Sequence, residues 1–163
     1  MGKHVPITGG AGFIGSYLAD ELLDHGYRVR AVDLITTQVH GLEPQRPHYL
    51  DPEVELIIGD IRDPVVVGCA LQGIDAVYHF AAAVGIGQSM YEIAHDTRTN
   101  NLGTAVLLEA LIEHPVEQLI VASSMSLYGE GLDRAPDGTI ADGVQRPPTP
   151  LKAGTWEVHD AKG

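Results

Sequence analysis

The stretch ITGGAGFIGS, residues 7–16, contains four glycines in a pattern that can bind phosphate. Gly9, Gly12 and Gly15 recur at three-residue intervals, and Gly10, Gly12 and Gly15 also fit the pattern G-x-G-x-x-G. Glycines permit a tight turn and a close approach of the backbone to a pyrophosphate. The N-terminus of the helix that follows adds N–H donors and partial positive charge. The stretch therefore predicts a phosphate-binding turn.

An acid stands about 20 residues beyond this turn, where dinucleotide-binding domains carry one. Asp33 ends the short predicted strand RVRAVD, residues 28–33. A carboxylate there accepts hydrogen bonds from both hydroxyls of the adenosine ribose of NAD and repels the 2′-phosphate of NADP. Asp33 therefore predicts NAD as the cofactor. The alternative interpretation is a solvent-facing acid in a turn.

Apolar periodicity predicts the strands and helices that must position these residues. Strands are predicted at residues 4–8, 28–33, 54–59, 74–80 and 117–123. Helices are predicted from the glycine turn to Gly26, after Asp63, and over residues 88–114. This alternation predicts an α/β fold, a Rossmann-type doubly wound parallel sheet. Pro6 is unusual in the first strand, because proline donates no hydrogen bond to a sheet.

The composition restricts the classes of partner. The chain has 163 residues and a formal net charge of -12, which disfavours nucleic acids and anionic membrane surfaces. A single cysteine, Cys69, excludes an internal disulfide and a cysteine-based metal site. The eight histidines form no metal-binding motif. We expect a cytoplasmic chain without a metal, an export signal or a membrane span.

The last segment differs in composition from the rest. Residues 129–163 are rich in proline, glycine and aspartate and show no sustained periodicity. A long loop of this kind is typical of a functional insertion or of the start of a domain that continues elsewhere. We expect one domain over residues 1–128 and a loop-rich tail over residues 129–163.

Several stretches occur in the order and spacing of a known family. They are TGGAGFIGS, GDIRD, VYHFAAAVG, NNLGTAVLLEA and VASSMSLYGEG, within residues 3–131. Together they resemble the extended short-chain dehydrogenases/reductases, and more narrowly the NAD-dependent epimerase/dehydratase family, which acts on nucleotide sugars. The resemblance implies an NAD-binding Rossmann domain here and a C-terminal substrate domain that this chain lacks. The resemblance is also compatible with a homodimer of the full-length protein.

The same resemblance implies which residues contact NAD. The pyrophosphate would be wrapped by Gly9, Gly12, Phe13, Ile14 and Gly15. The adenosine would be contacted by Asp33 at the ribose, Asp60 at the amino group and Ile61 beside the ring. The path to the nicotinamide ribose would be lined by Ala81, Ala82 and Ala83, with Asn100 bracing the sheet nearby. A purely structural role is the alternative for each, and for Asn100 this alternative weighs equally because buried asparagines commonly tie loops together.

Ser124 is the residue that the resemblance marks for catalysis. It stands four places before Tyr128, where the family has a serine or threonine that hydrogen-bonds the sugar hydroxyl being oxidised. Dehydratases of the family place an acid pair directly after it, but this chain has Met125 and Ser126. These residues favour an epimerase over a dehydratase.

One family feature is missing from the sequence. The family's base is the tyrosine of Tyr-x-x-x-Lys, and no tyrosine here has a lysine four places later. The stretches QVHG and VGIGQSMYEIA resemble 4-epimerases acting on UDP-glucose or dTDP-L-rhamnose. We therefore expect the cofactor-binding half of a nucleotide-sugar 4-epimerase, inactive by itself. The alternatives are a non-catalytic NAD-binding module and another nucleotide-sugar oxidoreductase or dehydratase of the family.

Overall fold

A computed structural model describes residues 2–41, 45–124, 127, 133–134, 137–141 and 152–154. The chain divides into two compact units, Met1–Ala122 and Ser123–Gly163. The expected division at residue 128 stays a prediction. Most of the expected loop-rich tail lies outside the described residues. Those that are described include two short antiparallel strands where a loop was expected, Asp133–Arg134 and Ile140–Ala141.

The first unit is built on a five-stranded parallel sheet. Its strands are β1 (His4–Thr8), β2 (Arg28–Asp33), β3 (Glu55–Ile58), β4 (Ala76–His79) and β5 (Gln118–Val121). Their spatial order is β3-β2-β1-β4-β5, with every neighbouring pair parallel. This order confirms the predicted Rossmann-type doubly wound sheet. The strand order reverses between β1 and β4, and ligands of such sheets bind beside the carboxyl ends of the strands at that point.

Helices cover both faces of the sheet. They are α1 (Phe13–Asp24), α2 (Thr37–His40), α3 (Pro64–Ala70), α4 (Ile86–Ser89), α5 (Ile93–Asp96) and α6 (Gly103–Glu113). The helices α1 and α3 begin where predicted, and the Asp63 side chain caps α3 by accepting from the Val65 amide at 2.8 Å. Among the described residues, no helix is long and apolar enough to cross a bilayer.

The helical stretch predicted over residues 88–114 is helical over residues 93–113 but is not one regular α-helix. The structure has α4, then α5, then a π-helical segment Thr97–Leu102, and finally α6. Within the π-helical segment, both ends of the Asn100 side-chain amide hydrogen-bond the backbone of Ala83. The apolar periodicity of a sequence gives no sign of such a contact between distant residues. π-Helical turns occur often at functional sites.

Pro6 is accommodated at the start of the pairing between β1 and β4. The His4 amide donates to the Asp75 carboxylate at 2.7 Å, and the His4 carbonyl accepts from the Asp75 amide. Pro6 is two residues after His4, so its backbone nitrogen also faces β4. Residue pairing of β1 with β4 is formed at Ile7 and Thr8, beyond the proline. The N–H that Pro6 lacks is therefore not needed for the pairs Ile7–Tyr78 and Thr8–His79.

Two apolar clusters hold the helices to the sheet. One packs α1 onto β1 and β2, with Val5, Ile7, Ala19, Leu22 and Val29 at its centre. The other packs α3 and α6 onto the opposite side of β4, with Val67, Leu71, Val77, Val106 and Leu107. The central strands β1, β2 and β4 are thus covered on both faces, as is typical of parallel sheets. The carboxyl ends of the strands are left to form the site.

Candidate dinucleotide site

The glycine turn joins the end of β1 to the start of α1 in a conformation that side chains would disrupt. Gly9 has φ +70°, and a Cβ there would lie 2.9 Å from the Ala81 amide nitrogen. A Cβ at Gly10 would lie 2.7 Å from the Ala31 Cβ. The Gly9 amide donates to the Val32 carbonyl at 2.8 Å. The turn is therefore packed tightly between the ends of β2 and β4.

The later glycines bring α1 onto this turn. A Cβ at Gly15 would clash with the Gly9 carbonyl oxygen and lie 2.7 Å from the Gly10 Cα. Gly12 is the N-cap and provides no side-chain acceptor, so the first-turn amides of α1 at Phe13, Ile14 and Gly15 are not capped by it. These amides and the positive end of the helix dipole suit a phosphate.

Asp33 is fixed against the glycine turn. Its Oδ2 accepts from the Ala11 amide at 3.1 Å, and its Oδ1 accepts from the Ile35 amide at 3.0 Å. The Asp33 side chain is 13 % exposed. A carboxylate can accept about four hydrogen bonds, so two backbone donors leave capacity for others. The structure thus brings the predicted ribose ligand next to the predicted phosphate turn.

Two residues beside Asp33 were not predicted as site residues. His40 Nε2 lies 3.6 Å from Asp33 Oδ1, and the Tyr49 hydroxyl lies 3.2 Å from His40 Nδ1. Tyr49 also donates to the Ala11 carbonyl at 2.8 Å. Burial, followed by the negative charge of Asp33, raises the pKa of Tyr49. The only signal in the sequence was the QVHG stretch, which gave no role for its histidine.

Asp60 follows β3 at the same edge of the sheet and is paired with Arg62. The Arg62 Nε lies 2.9 Å from each Asp60 carboxylate oxygen, and the Asp60 Oδ1 also accepts from the Arg62 amide at 2.8 Å. The hydrogen bonds from the Arg62 side chain are the largest cause that lowers the pKa of Asp60. The carboxylate is therefore held ionised and oriented. Ile61 is buried instead in the cluster around α6, and a Cβ at Gly103 would lie 2.7 Å from its Cγ2.

The loop after β4 is positioned by Asn100. The Asn100 Oδ1 accepts from the Ala83 amide at 2.8 Å, and its Nδ2 donates to the Ala83 carbonyl at 3.0 Å. At the start of the loop, the Ala81 amide donates to the Thr8 hydroxyl at 3.2 Å. The loop of Ala81, Ala82 and Ala83 is thus tied at one end to β1 and at the other to the π-helical segment. Asn100 thus braces this loop, and its expected place near the cofactor stays a prediction.

Ser124 follows β5 in sequence and belongs to the second unit. Its backbone carbonyl accepts from the Leu127 amide at 3.2 Å. Its catalytic role stays a prediction. Met125, Ser126 and Tyr128 lie outside the described residues. In the part of the chain that the structure describes, no group of three or more His, Cys, Asp or Glu residues could hold a metal ion.

The residues at the carboxyl edge fit a dinucleotide. The glycine turn leaves room that a Cβ would fill, the first turn of α1 offers amide donors, and Asp33 offers a fixed carboxylate at the end of β2. A parallel sheet with these features at its switch point defines a Rossmann-type dinucleotide-binding domain.

A comparison with protein families gives the particular family. The model of the NAD dependent epimerase/dehydratase family matches residues 5–152. The chain belongs to this family, and its cofactor is NAD.

Individual relatives agree with this assignment. The chain is 34% identical over 160 residues to dTDP-L-rhamnose 4-epimerase of Burkholderia thailandensis, covering 96% of this chain and 44% of the relative. It is 34% identical over 136 residues to UDP-glucose 4-epimerase of Yersinia pestis, covering 78% of this chain and 38% of the relative. The chain therefore spans less than half the length of these relatives.

A solved structure has the same fold. The UDP-glucose-4-epimerase from Stenotrophomonas maltophila, with bound NAD and formylated UDP-arabinopyranose, superimposes with a TM-score of 0.69 at 32% identity. The match covers 82% of this chain and 40% of that one. The chain therefore spans about two fifths of the length of that solved structure.

Proposed function

We propose that the chain is the cofactor-binding part of a nucleotide-sugar 4-epimerase acting on dTDP-L-rhamnose or on UDP-glucose and UDP-galactose. The similarity to dTDP-L-rhamnose 4-epimerase, at 34% identity over 96% of the chain, is the observation that carries the proposal. The glycine turn and the fixed Asp33 support it, because an epimerase of this family needs a firmly held dinucleotide.

Each part of the site has a task in this proposal. NAD, when bound, supplies the capacity to take a hydride from the sugar and to return it. The first-turn amides of α1 bind the pyrophosphate, and Asp33 binds the adenosine ribose. Two hydrogen bonds between the Asn100 side chain and the Ala83 backbone, of 2.8 and 3.0 Å, fix the loop after β4. The Ser124 hydroxyl binds the C4 hydroxyl of the sugar and orients it for proton removal.

That proton needs a base, and the sequence offers no tyrosine–lysine pair for the purpose. The residues four places after the six tyrosines are Glu21, Ala31, Glu53, Ala82, His95 and Leu132. We infer that the base is not among these 163 residues. Loss of a general base costs a factor of about 10² to 10⁴ in rate. The chain alone is therefore expected to bind NAD without epimerising a sugar.

A second candidate is a non-catalytic NAD-binding module, and the same lack of a tyrosine–lysine pair favours it. A chimera separates the two candidates. Residues 1–152 of this chain would replace the matching part of the Burkholderia thailandensis relative, and the chimera would be incubated with dTDP-L-rhamnose or UDP-galactose. Formation of the C4 epimer, followed by chromatography, supports the epimerase. A folded, NAD-binding chimera that converts neither sugar supports the module.

The chain by itself is the matched control for the chimera. Turnover of either sugar by the chain alone at an ordinary enzymatic rate would contradict the inference that its base is missing. A chain that is inactive alone and active in the chimera gives both results expected here.

A further inference from the structure

A hydrogen bond joins the stretches QVHG and VGIGQSMYEIA, which are far apart in the sequence. Gln38 in the first stretch donates from Nε2 to Oε1 of Gln88 in the second, at 3.0 Å and across 50 positions. Gln38 lies on α2 and Gln88 lies on α4. Neither glutamine has a task in the dinucleotide site described above.

A third side chain fixes the direction of this bond. Gln88 Nε2 donates to Glu92 Oε2 at 2.8 Å. An ionised carboxylate only accepts hydrogen bonds, so Gln88 turns its NH2 group toward Glu92 and its carbonyl oxygen toward Gln38. Gln38 must then present its own NH2 group. The three side chains together are called the glutamine bridge below.

The glutamine bridge spans the gap above the end of β1. The helix α2 follows β2, and α4 follows β4, whereas β1 lies between β2 and β4 in the sheet. The carboxyl ends of β2 and β4 are therefore two strand spacings apart, about 10 Å. A bond between the segments that follow these ends crosses the switch point, where the glycine turn begins and where a dinucleotide lies in such sheets.

Apolar packing does not hold the bridge closed. Val39 is the one apolar residue of α2 and Ile86 that of α4, and these side chains are 66 % and 85 % exposed. Gly85, directly before α4, has φ +155°, a conformation that few other residues adopt. Hinges are a few such residues at the ends of elements. The polar bridge is therefore the contact that must break for α4 to swing away from α2 about Gly85.

We propose that the glutamine bridge is a gate over the dinucleotide site, which opens for NAD to enter and to leave. A gate that closes over the free and the occupied site alike slows both steps by the same factor, so Kd stays constant. A side chain that touches NAD changes Kd instead. The inference rests on NAD binding and is independent of the proposed epimerisation.

Stopped-flow fluorescence of NADH binding to the purified chain measures both rate constants. In Gln38→Ala and Gln88→Ala, the association and dissociation rate constants should each rise about 3- to 10-fold, as for loss of one hydrogen bond, with little change in Kd. The double variant should match the single variants, because all three lack the same bond. Gln72→Ala, at an exposed glutamine after α3, is the matched control and should leave both rate constants unaltered.

NMR of the glutamine side-chain amides tests the bridge without a cofactor. Gln88→Ala should shift the NH2 resonances of Gln38, Gln38→Ala should shift those of Gln88, and Gln72→Ala should shift neither pair. Missing reciprocal shifts would overturn the proposal. So would unaltered rate constants in the bridge variants, or faster dissociation with unaltered association, which is the result expected of a direct contact with NAD. Absence of NADH binding by the unmodified chain would refute the NAD site and the gate with it.

Discussion

The Thr8 hydroxyl oxygen lies 2.7 Å from His79 Nδ1, and this contact links the strand before the glycine turn to the strand before the alanine loop. Thr8 Oγ1 accepts from the amides of Phe80 and Ala81, both at 3.2 Å, so its own hydrogen is donated to Nδ1. His79 therefore carries its hydrogen on Nε2 and donates to the Thr104 hydroxyl at 2.9 Å. A buried chain of oriented hydrogen bonds thus joins β1, β4 and α6.

Stability is expected to fall when the pH drops below about 6.5, the ordinary pKa of histidine. Burial lowers the pKa of His79 in the folded chain. The unfolded chain therefore takes up a proton before the folded chain does. The contribution of neutral His79 is complete above about pH 6.5 and is lost as the pH falls toward its folded pKa, with a limiting slope of about 1.4 kcal/mol per pH unit.

Urea unfolding of the chain and of His79→Asn from pH 7.5 to about 5.5 measures this effect. His4 contributes in the same direction, because burial, followed by Arg30 and Arg28, lowers its pKa. His79→Asn should therefore reduce the dependence on pH without abolishing it. An unaltered slope in this variant would show that His79 does not titrate as its burial implies.

Thr8→Val should destabilise the chain by about 1–3 kcal/mol, the usual cost of leaving buried donors or acceptors unpaired. The Val side chain has a similar shape but cannot accept from Phe80 and Ala81 or donate to His79. Thr8→Ser is the matched control because it keeps the hydroxyl. Equal unfolding free energies for the Val and Ser variants would contradict the assigned network.

Gly15→Ala should weaken NAD binding by about tenfold or more, because its Cβ would push α1 away from the Gly9 carbonyl and misplace the amides that bind phosphate. Gly68→Ala in α3 is the control, since a Cβ there meets nothing within 4 Å. Calorimetry measures both. Tight NAD binding by the Gly15 variant would mean that the helix start does not hold the pyrophosphate.

Arg62→Gln should raise the pKa of Asp60 toward its ordinary value, because the Arg62 side chain is the largest cause of the lowered pKa. Carbon NMR of the Asp60 carboxyl during an acid titration measures the change. Arg98→Gln, at an exposed arginine, is the control and should leave Asp60 unchanged. An Asp60 pKa that is the same in both variants would assign the shift to another group.

Ser124→Ala should lower turnover of the active chimera by about 10² or more while NAD affinity stays nearly constant, as for loss of a positioned catalytic hydrogen bond. Rates with the accepted sugar and a separate NAD titration provide the two readouts. Unaltered turnover would make Ser124 structural.

The sheet and the glycine turn were predictable because their signals are local. Each strand is a short apolar run, and the positions of Gly9 and Asp33 follow from where β1 and β2 end. The interruption at residues 90–92 and the π-helical segment Thr97–Leu102 were not predictable from periodicity. The Asn100 side chain in that segment bonds Ala83, a contact that depends on the folded chain. Likewise, Tyr49 reaches Ala11 across 38 positions of sequence, and no spacing rule places them together.

Whether the glycine turn and Asp33 form a site for NAD can be measured by titrating NAD and NADP into the purified chain and into Asp33→Ala. NAD is expected to bind the unmodified chain at least about tenfold more tightly than NADP. In Asp33→Ala, this preference narrows while NAD still binds through the turn. Equal affinities for the two cofactors in the unmodified chain would show that Asp33 does not select NAD.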